Sequence, residues 1–160
     1  MLPSDYVQRL IEASNKKYIL IQEMFVLTKN QTNLIEEDSI SEFEKLVDEK
    51  QDKINEINKI DEEFNVYFQR LKQVLKISSL DDLVNPDIKG VKQLKDVVSN
   101  IMSVLKEISN IEKLNSIKAE QLLKQFGEDI TKLNLRKKAN LGYQPDPMEK
   151  PPSYFIDKKN

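Results

Sequence analysis

The chain has 160 residues, 39% hydrophobic and 32% charged, with only 3 Gly and no Trp, which suits one domain of long amphipathic helices better than a compact α/β enzyme. Cys and His are both absent, which excludes disulfides, thiolate nucleophiles and Cys/His metal sites and removes the most versatile acid–base group; catalysis by carboxylates stays open. A net charge of −2 and a pI near 5.4 argue against general nucleic-acid binding.

No stretch approaches the run of about 18 apolar residues that spans a bilayer, so stable membrane insertion is not expected. The opening Met-Leu-Pro-Ser-Asp lacks the basic and apolar regions of a signal peptide, and the expected address is the cytoplasm.

The first predicted helix covers about 4–35. Asp5 and Gln8 have capping-box spacing, and Val7, Leu10, Ile11, Tyr18, Ile21, Phe25 and Ile35 follow. Ile19, Leu20, Met24, Val26 and Leu27 thicken its middle beyond one stripe. That middle is either buried on two sides or offers a second face to a partner. Glu36-Glu37-Asp38-Ser39 reads as a turn, with Ser39 and Glu42 again at capping-box spacing, and so short a connection makes the first two helices antiparallel neighbours.

The second helix, about 40–77, carries the clearest pattern. Phe43, Val47, Lys50, Ile54, Ile57, Asp61, Phe64, Phe68, Leu71 and Leu75 step by four and three without a break, the seam of a heptad repeat. Lys50 and Asp61 are its charged exceptions. They are expected to meet polar partners or water and to specify alignment more than stability, so that Leu at both would leave the melting temperature unchanged or raised. From Glu36 to Glu63, twelve acids oppose four lysines, a net of −8, which reads as a solvated face or as an acidic docking stripe.

Ser79 and Asp82 are spaced to cap one short turn, and Asn85-Pro86 reads as a stop and a new start. The third helix is predicted over about 86–138, roughly 75–80 Å at about 1.5 Å per residue. Its seam begins as Val91, Leu94, Val98, Ile101, Leu105 and Ile108. Ile111, Leu114 and Ile117 then step by three, which predicts a bend or a change of partner. Beyond the slip, Leu122, Leu123, Phe126, Ile130 and Leu133 form an apolar surface with less to pack against. They are the candidate partner-binding residues, or else a core contact shared with a second subunit. Monomer and homodimer both stay open.

Pro145, Pro147, Pro151 and Pro152 prevent regular structure near the end. The expected organisation is a helical bundle domain over 1–138 and a flexible Pro-rich tail over 139–160. The fold class is all-α, an antiparallel bundle of three long helices. No phosphate loop, metal cluster or nucleophile elbow is present, and carboxylates such as Glu49, Asp52 and Glu56 on one helix face are ordinary for an acidic helix. No cofactor is implied.

One resemblance goes further. Thr28, Gln31, Thr32, Leu34 and Ile35 lead into Asp38; Phe43, Leu46, Glu49-Lys50-Gln51, Ile54 and Ile57 follow; and Lys137-Lys138-Ala139-Asn140-Leu141-Gly142-Tyr143 stands near the end. In this order the chain resembles the FlgN family of flagellar export chaperones, and the Pro-rich extension after Tyr143 departs from the family's simpler ends. The resemblance implies a cytoplasmic, non-enzymatic chaperone. It would hold hook-associated (hook–filament junction) proteins and deliver them to the flagellar export gate, with Tyr143 as an anchor for that gate. The competing reading is a structural coiled-coil scaffold that oligomerises through the seam.

Overall fold

In a computed structural model the structure describes residues 1–36 and 39–126, of which the side chains of Leu123 and Phe126 are not part. Three long helices make an all-α bundle with no strand among the described residues: α1 Pro3–Glu36, α2 Ile40–Leu75 and α3 Val91–Phe126. A single 3-10 turn, Leu80–Asp82, lies between α2 and α3.

The helix ends follow local chemistry. Pro3 takes the first helical position, where its missing N–H costs nothing, and the Asp5 carboxylate reaches back to accept from the Leu2 N–H at 2.8 Å. Asp5 thus serves as the third residue of the helix rather than as its cap. α2 stops at Leu75, two residues before the expected end, because Lys76 turns left-handed at φ 55 and the Ile77 N–H closes on the Lys72 carbonyl at 3.1 Å.

Pro86 does not open α3. It sits inside a turn in which the Ile88 N–H reaches the Asn85 carbonyl at 3.3 Å and the Asn85 side chain accepts from the Asp87 N–H at 2.9 Å. The helix begins at Val91, after Gly90. Gly90 has φ +93, and a Cβ there would stand 2.9 Å from Ile11 Cδ1 and 3.2 Å from Val7 Cγ1. Both the dihedral and the close approach require glycine. The expected continuation to 138 and the tail over 139–160 lie outside the described residues, as do Glu37 and Asp38 of the expected turn.

The chain divides into two compact units, to each of which all three helices contribute a segment. The described part of the first comprises 1–20 and 56–103. Here α1 and α2 run antiparallel: the Tyr6 and Tyr67 rings lie 6.4 Å apart, and the Lys17 ammonium meets Asp61 at 2.8 Å. Around that pair and the buried Ser14 hydroxyl the core is apolar, with Val7, Leu10, Ile57, Phe64, Phe68, Leu71, Leu94 and Ile101 at 1% exposure or less. Leu80, Leu83 and Ile88 are buried as well and tie down the connection. Full burial of each such side chain contributes about 1.5–3 kcal/mol.

The described part of the second unit comprises 21–55 and 104–126. α1 and α2 are again antiparallel, with Lys53 to Glu23 at 3.3 Å and Lys50 to Gln31 at 3.0 Å, while α3 runs parallel to α1, with Thr32 to Asn115 and Lys118 to Glu36. Ile35, Phe43 and Val47 form a buried cluster against which Leu34, Ala119 and Leu122 pack.

The α2 seam is buried from Phe43 to Leu71 at every position expected, Lys50 and Asp61 included. The polar partners are present, but they change the expected result of substitution. Asp61 faces a buried Lys17, and Lys50 faces Gln31 and Glu112. Leu at both positions would strand those partners, so a loss of stability replaces the neutral outcome.

Candidate partner-binding surface

The seam of α1 runs Val7, Leu10, Ser14, Lys17, Ile21, Met24, Thr28, Gln31 and Ile35, stepping by three and four with no position above 7% exposed. Four of the nine are polar. The hydroxyls of Ser14 and Thr28 are satisfied within the helix, donating to the Leu10 and Met24 carbonyls at 2.7 and 2.8 Å. The thickened apolar middle resolves accordingly. Ile19 in the first unit and Val26 in the second are more than half exposed, while lysine, threonine and glutamine take inward positions.

α3 behaves the same way in the second unit. Its seam does not slip after Ile108. The four–three steps continue through Glu112, Asn115, Ala119 and Leu122, and α3 is one unbroken helix. Lys50 Nζ donates to Glu112 at 2.6 Å. Thr32 Oγ1 donates to Asn115 Oδ1 at 2.6 Å, and Asn115 Nδ2 reaches the Thr28 carbonyl at 3.4 Å. Burial pushes the Glu112 carboxyl above its ordinary range, and the charge and hydrogen bond of Lys50 pull it back only in part.

The apolar run that steps by three therefore faces outward. Ile111 is half-buried, and Leu114 and Ile117 are 57% and 53% exposed. Among the α3 residues after Ile108 whose side chains are described, the one buried is Asn115. Between Ile108 and Leu122, α3 turns Glu112 and Asn115 inward and Leu114 and Ile117 outward, against the usual arrangement of an amphipathic helix.

Of the residues expected to bind partners, Leu122 is half-buried against the Ile35–Phe43–Val47 cluster. Leu123 and Phe126 stand on the last turn of α3. Ile130, Leu133 and Tyr143 lie outside the described residues. Sequence reasoning missed Leu114 and Ile117 as surface residues. The signal was available: extending the four–three register from Leu94 lands on 112 and 115, not on 111 and 114.

These features define a class, an α-helical bundle whose third helix presents apolar side chains to solvent. Among the described residues no helix is long and apolar enough to cross a membrane, and no group of carboxylates is placed to hold a metal ion. The FlgN protein family profile matches residues 1–150, and the chain belongs to the FlgN family. The family is one of flagellar export chaperones, which bind flagellar export substrates and are not known as enzymes. Comparison with curated proteins and with solved structures returned no match.

Proposed function

We propose that the chain is a cytoplasmic chaperone that holds hook-associated (hook–filament junction) proteins and delivers them to the flagellar export gate. The second half of α3 and the residues after it carry the clients, through Leu122, Leu123, Phe126, Ile130 and Leu133, and Tyr143 anchors the chain to the gate. The observation that carries this reading, beside family membership, is that α3 buries no apolar side chain fully between Ile108 and Leu122. A helix held this way keeps apolar surface for a partner. A client segment made for polymerisation has an apolar face that such a surface covers, and competition at the gate releases it without chemistry.

The test is co-purification of hook-associated proteins with the full chain, with Phe126→Glu plus Ile130→Glu, and with residues 141–160 removed. The paired substitution should abolish client capture with helicity and melting temperature near wild type. The truncation should spare capture and impair delivery. Capture of no hook-associated protein by the wild type, together with self-association through the seam, would favour a scaffold and defeat the proposal.

A further inference from the structure

The first unit leaves a face open on the side where α1 and α2 meet. Val66, Arg70 and Val74 step by four along one side of α2, and all three are exposed. Tyr67, at the edge of that row, lies half-buried beside the half-buried Tyr6 of α1, with 6.4 Å between ring centroids, and the Arg70 guanidinium stands over the Tyr67 ring at 5.9 Å. Leu2, four residues before Tyr6, is exposed too. The α2 segment of the second unit has no exposed large apolar residue among its described positions, so on α2 this surface belongs to the first unit. A helix with a continuous apolar ridge would bury the Arg70 charge against it. A polyproline helix suits the face better: aromatic ridges receive its rings, and its polar rows leave room for the cation.

The same sequence carries a matching segment. Pro145, Met148, Pro151 and Tyr154 recur every three residues, the period of a polyproline II helix, and Asp146 and Glu149 repeat that period one residue further on. At that period one row is apolar over about 28 Å and its neighbour acidic. Four prolines with fixed φ also lower the entropy lost on docking. The segment lies outside the described residues, and the pattern is one of sequence.

We propose that the tyrosine face of the first unit docks the proline-rich segment 143–156 of a second copy of this chain. The two rings and the valines receive the apolar row, and Arg70 meets the acidic row beside it. The exposed Glu63, near the foot of the same side of α2, has Lys150 of the segment as its counterpart. Reach assigns the segment to a second copy. Gly90 packs against Val7 and Ile11, which places Tyr6 near the start of α3, and α3 runs about 54 Å from there to Phe126. The 18 residues from 127 to 144 span at most about 60–65 Å, so only a nearly straight chain would bring Pro145 back to its own Tyr6. The helix predicted on to 138 would carry the segment the other way. A second copy meets no such limit. The inference goes beyond the client reading and does not rest on it.

The test uses the full chain, a labelled synthetic peptide of residues 143–157, and a peptide of the same composition reordered so that its prolines and methionine lose the three-residue period. The native peptide should bind roughly tenfold or more tightly than the reordered one. Val66→Glu with Val74→Glu should weaken its binding by roughly the same factor with the melting temperature unchanged, since both side chains are exposed. Arg70→Glu should weaken it too, and a peptide carrying Asp146→Lys and Glu149→Lys should bind that variant better than the native peptide does. In sedimentation the mass of the full chain should rise with concentration toward that of two copies. That rise should vanish in the valine double variant and on removal of residues 141–160. Equal binding of the two peptides, or full binding by the double variant, overturns the proposal. So does a chain that stays monomeric at every concentration: with the peptide bound, the segment belongs to its own copy, and without it the face has another occupant or none. Self-association that survives removal of 141–160 runs through a different surface and overturns it as well.

Discussion

The two units solve one packing problem with different materials. In the first, the three helix segments and the connection between α2 and α3 bury apolar side chains around one ion pair, Lys17–Asp61. In the second, the same four–three spacing carries Thr28, Gln31, Lys50, Glu112 and Asn115 among the buried apolar side chains, which are Ile21, Met24, Leu27, Ile54, Leu105 and Ile108 beside the cluster around Phe43. Polar seams gain little net energy once desolvation is counted, but they penalise any other alignment, because a shifted helix strands a buried charge. The first unit is therefore built for stability and the second for a defined rotation of α3 at modest stability. A chaperone needs both: a body that stays folded when empty, and a helix that keeps its larger apolar side chains outside.

The contrast can be broken most severely at Asp61. Asp61→Ala removes the ion-pair partner of Lys17, a side chain with 0% exposure, and should cost about 3–5 kcal/mol by denaturant unfolding. Lys17→Met with Asp61→Leu should recover most of that loss or exceed wild type, and a double variant as unstable as the single one would show that the pair itself stabilises the unit. Ile57→Ala, in the same unit and fully buried, should cost about 2–5 kcal/mol. A neutral result would contradict its place in the seam. In the second unit Asn115→Leu should shift stability by less than about 1 kcal/mol, since Thr32 Oγ1 also lies within 3.4 Å of the Thr28 carbonyl and the seam gains an apolar contact. A loss as large as that at Asp61 would erase the distinction between the units.

How much of this was legible in the sequence differs between the helices. The α2 seam could be read position by position, because its apolar residues are large and its two exceptions isolated. On α1 and α3 most apolar side chains marked the right row, Val7, Leu10, Ile21, Leu94, Ile101 and Ile108 among them, but four marked the wrong one. Ile19, Val26, Leu114 and Ile117 are exposed while Lys17, Thr28, Gln31 and Asn115 are buried. Hydrophobicity locates a seam only where burial and polarity agree, whereas spacing persists when they do not. The connection was partly legible. Ser79–Asp82 makes its turn, with the Asp82 carboxylate accepting from the Ser78 and Ser79 N–H groups at 3.1 Å each. Pro86 suggested a helix start because proline favours both that position and the second position of a turn. The choice between them rests on Gly90 against Val7 and Ile11, a tertiary contact that no local pattern contains. Of the candidate site, Leu122 was found with a seat in the second unit, and the outward stripe before it was not anticipated.

The smallest expected effect is a pH slope confined to the second unit. Burial holds the Glu112 carboxyl above its unfolded value, with Lys50 offsetting part of that shift. Between those two values the folded chain holds a proton there that the unfolded chain has released. Stability from this group is therefore lost as pH rises from the ordinary carboxylate range through the raised one, and is constant beyond it. Glu112→Gln removes the titration and keeps a side chain that can still accept from Lys50. The stability of wild type relative to this variant, from urea midpoints, should accordingly fall from mildly acidic to neutral pH. Glu42→Gln, at an exposed position of the same unit, is the control. If wild type instead gains on the Gln variant as pH rises, the attraction of Lys50 outweighs the cost of burying the carboxylate, and the polar seam would be a source of stability in its own right rather than chiefly a means of fixing how α3 is turned.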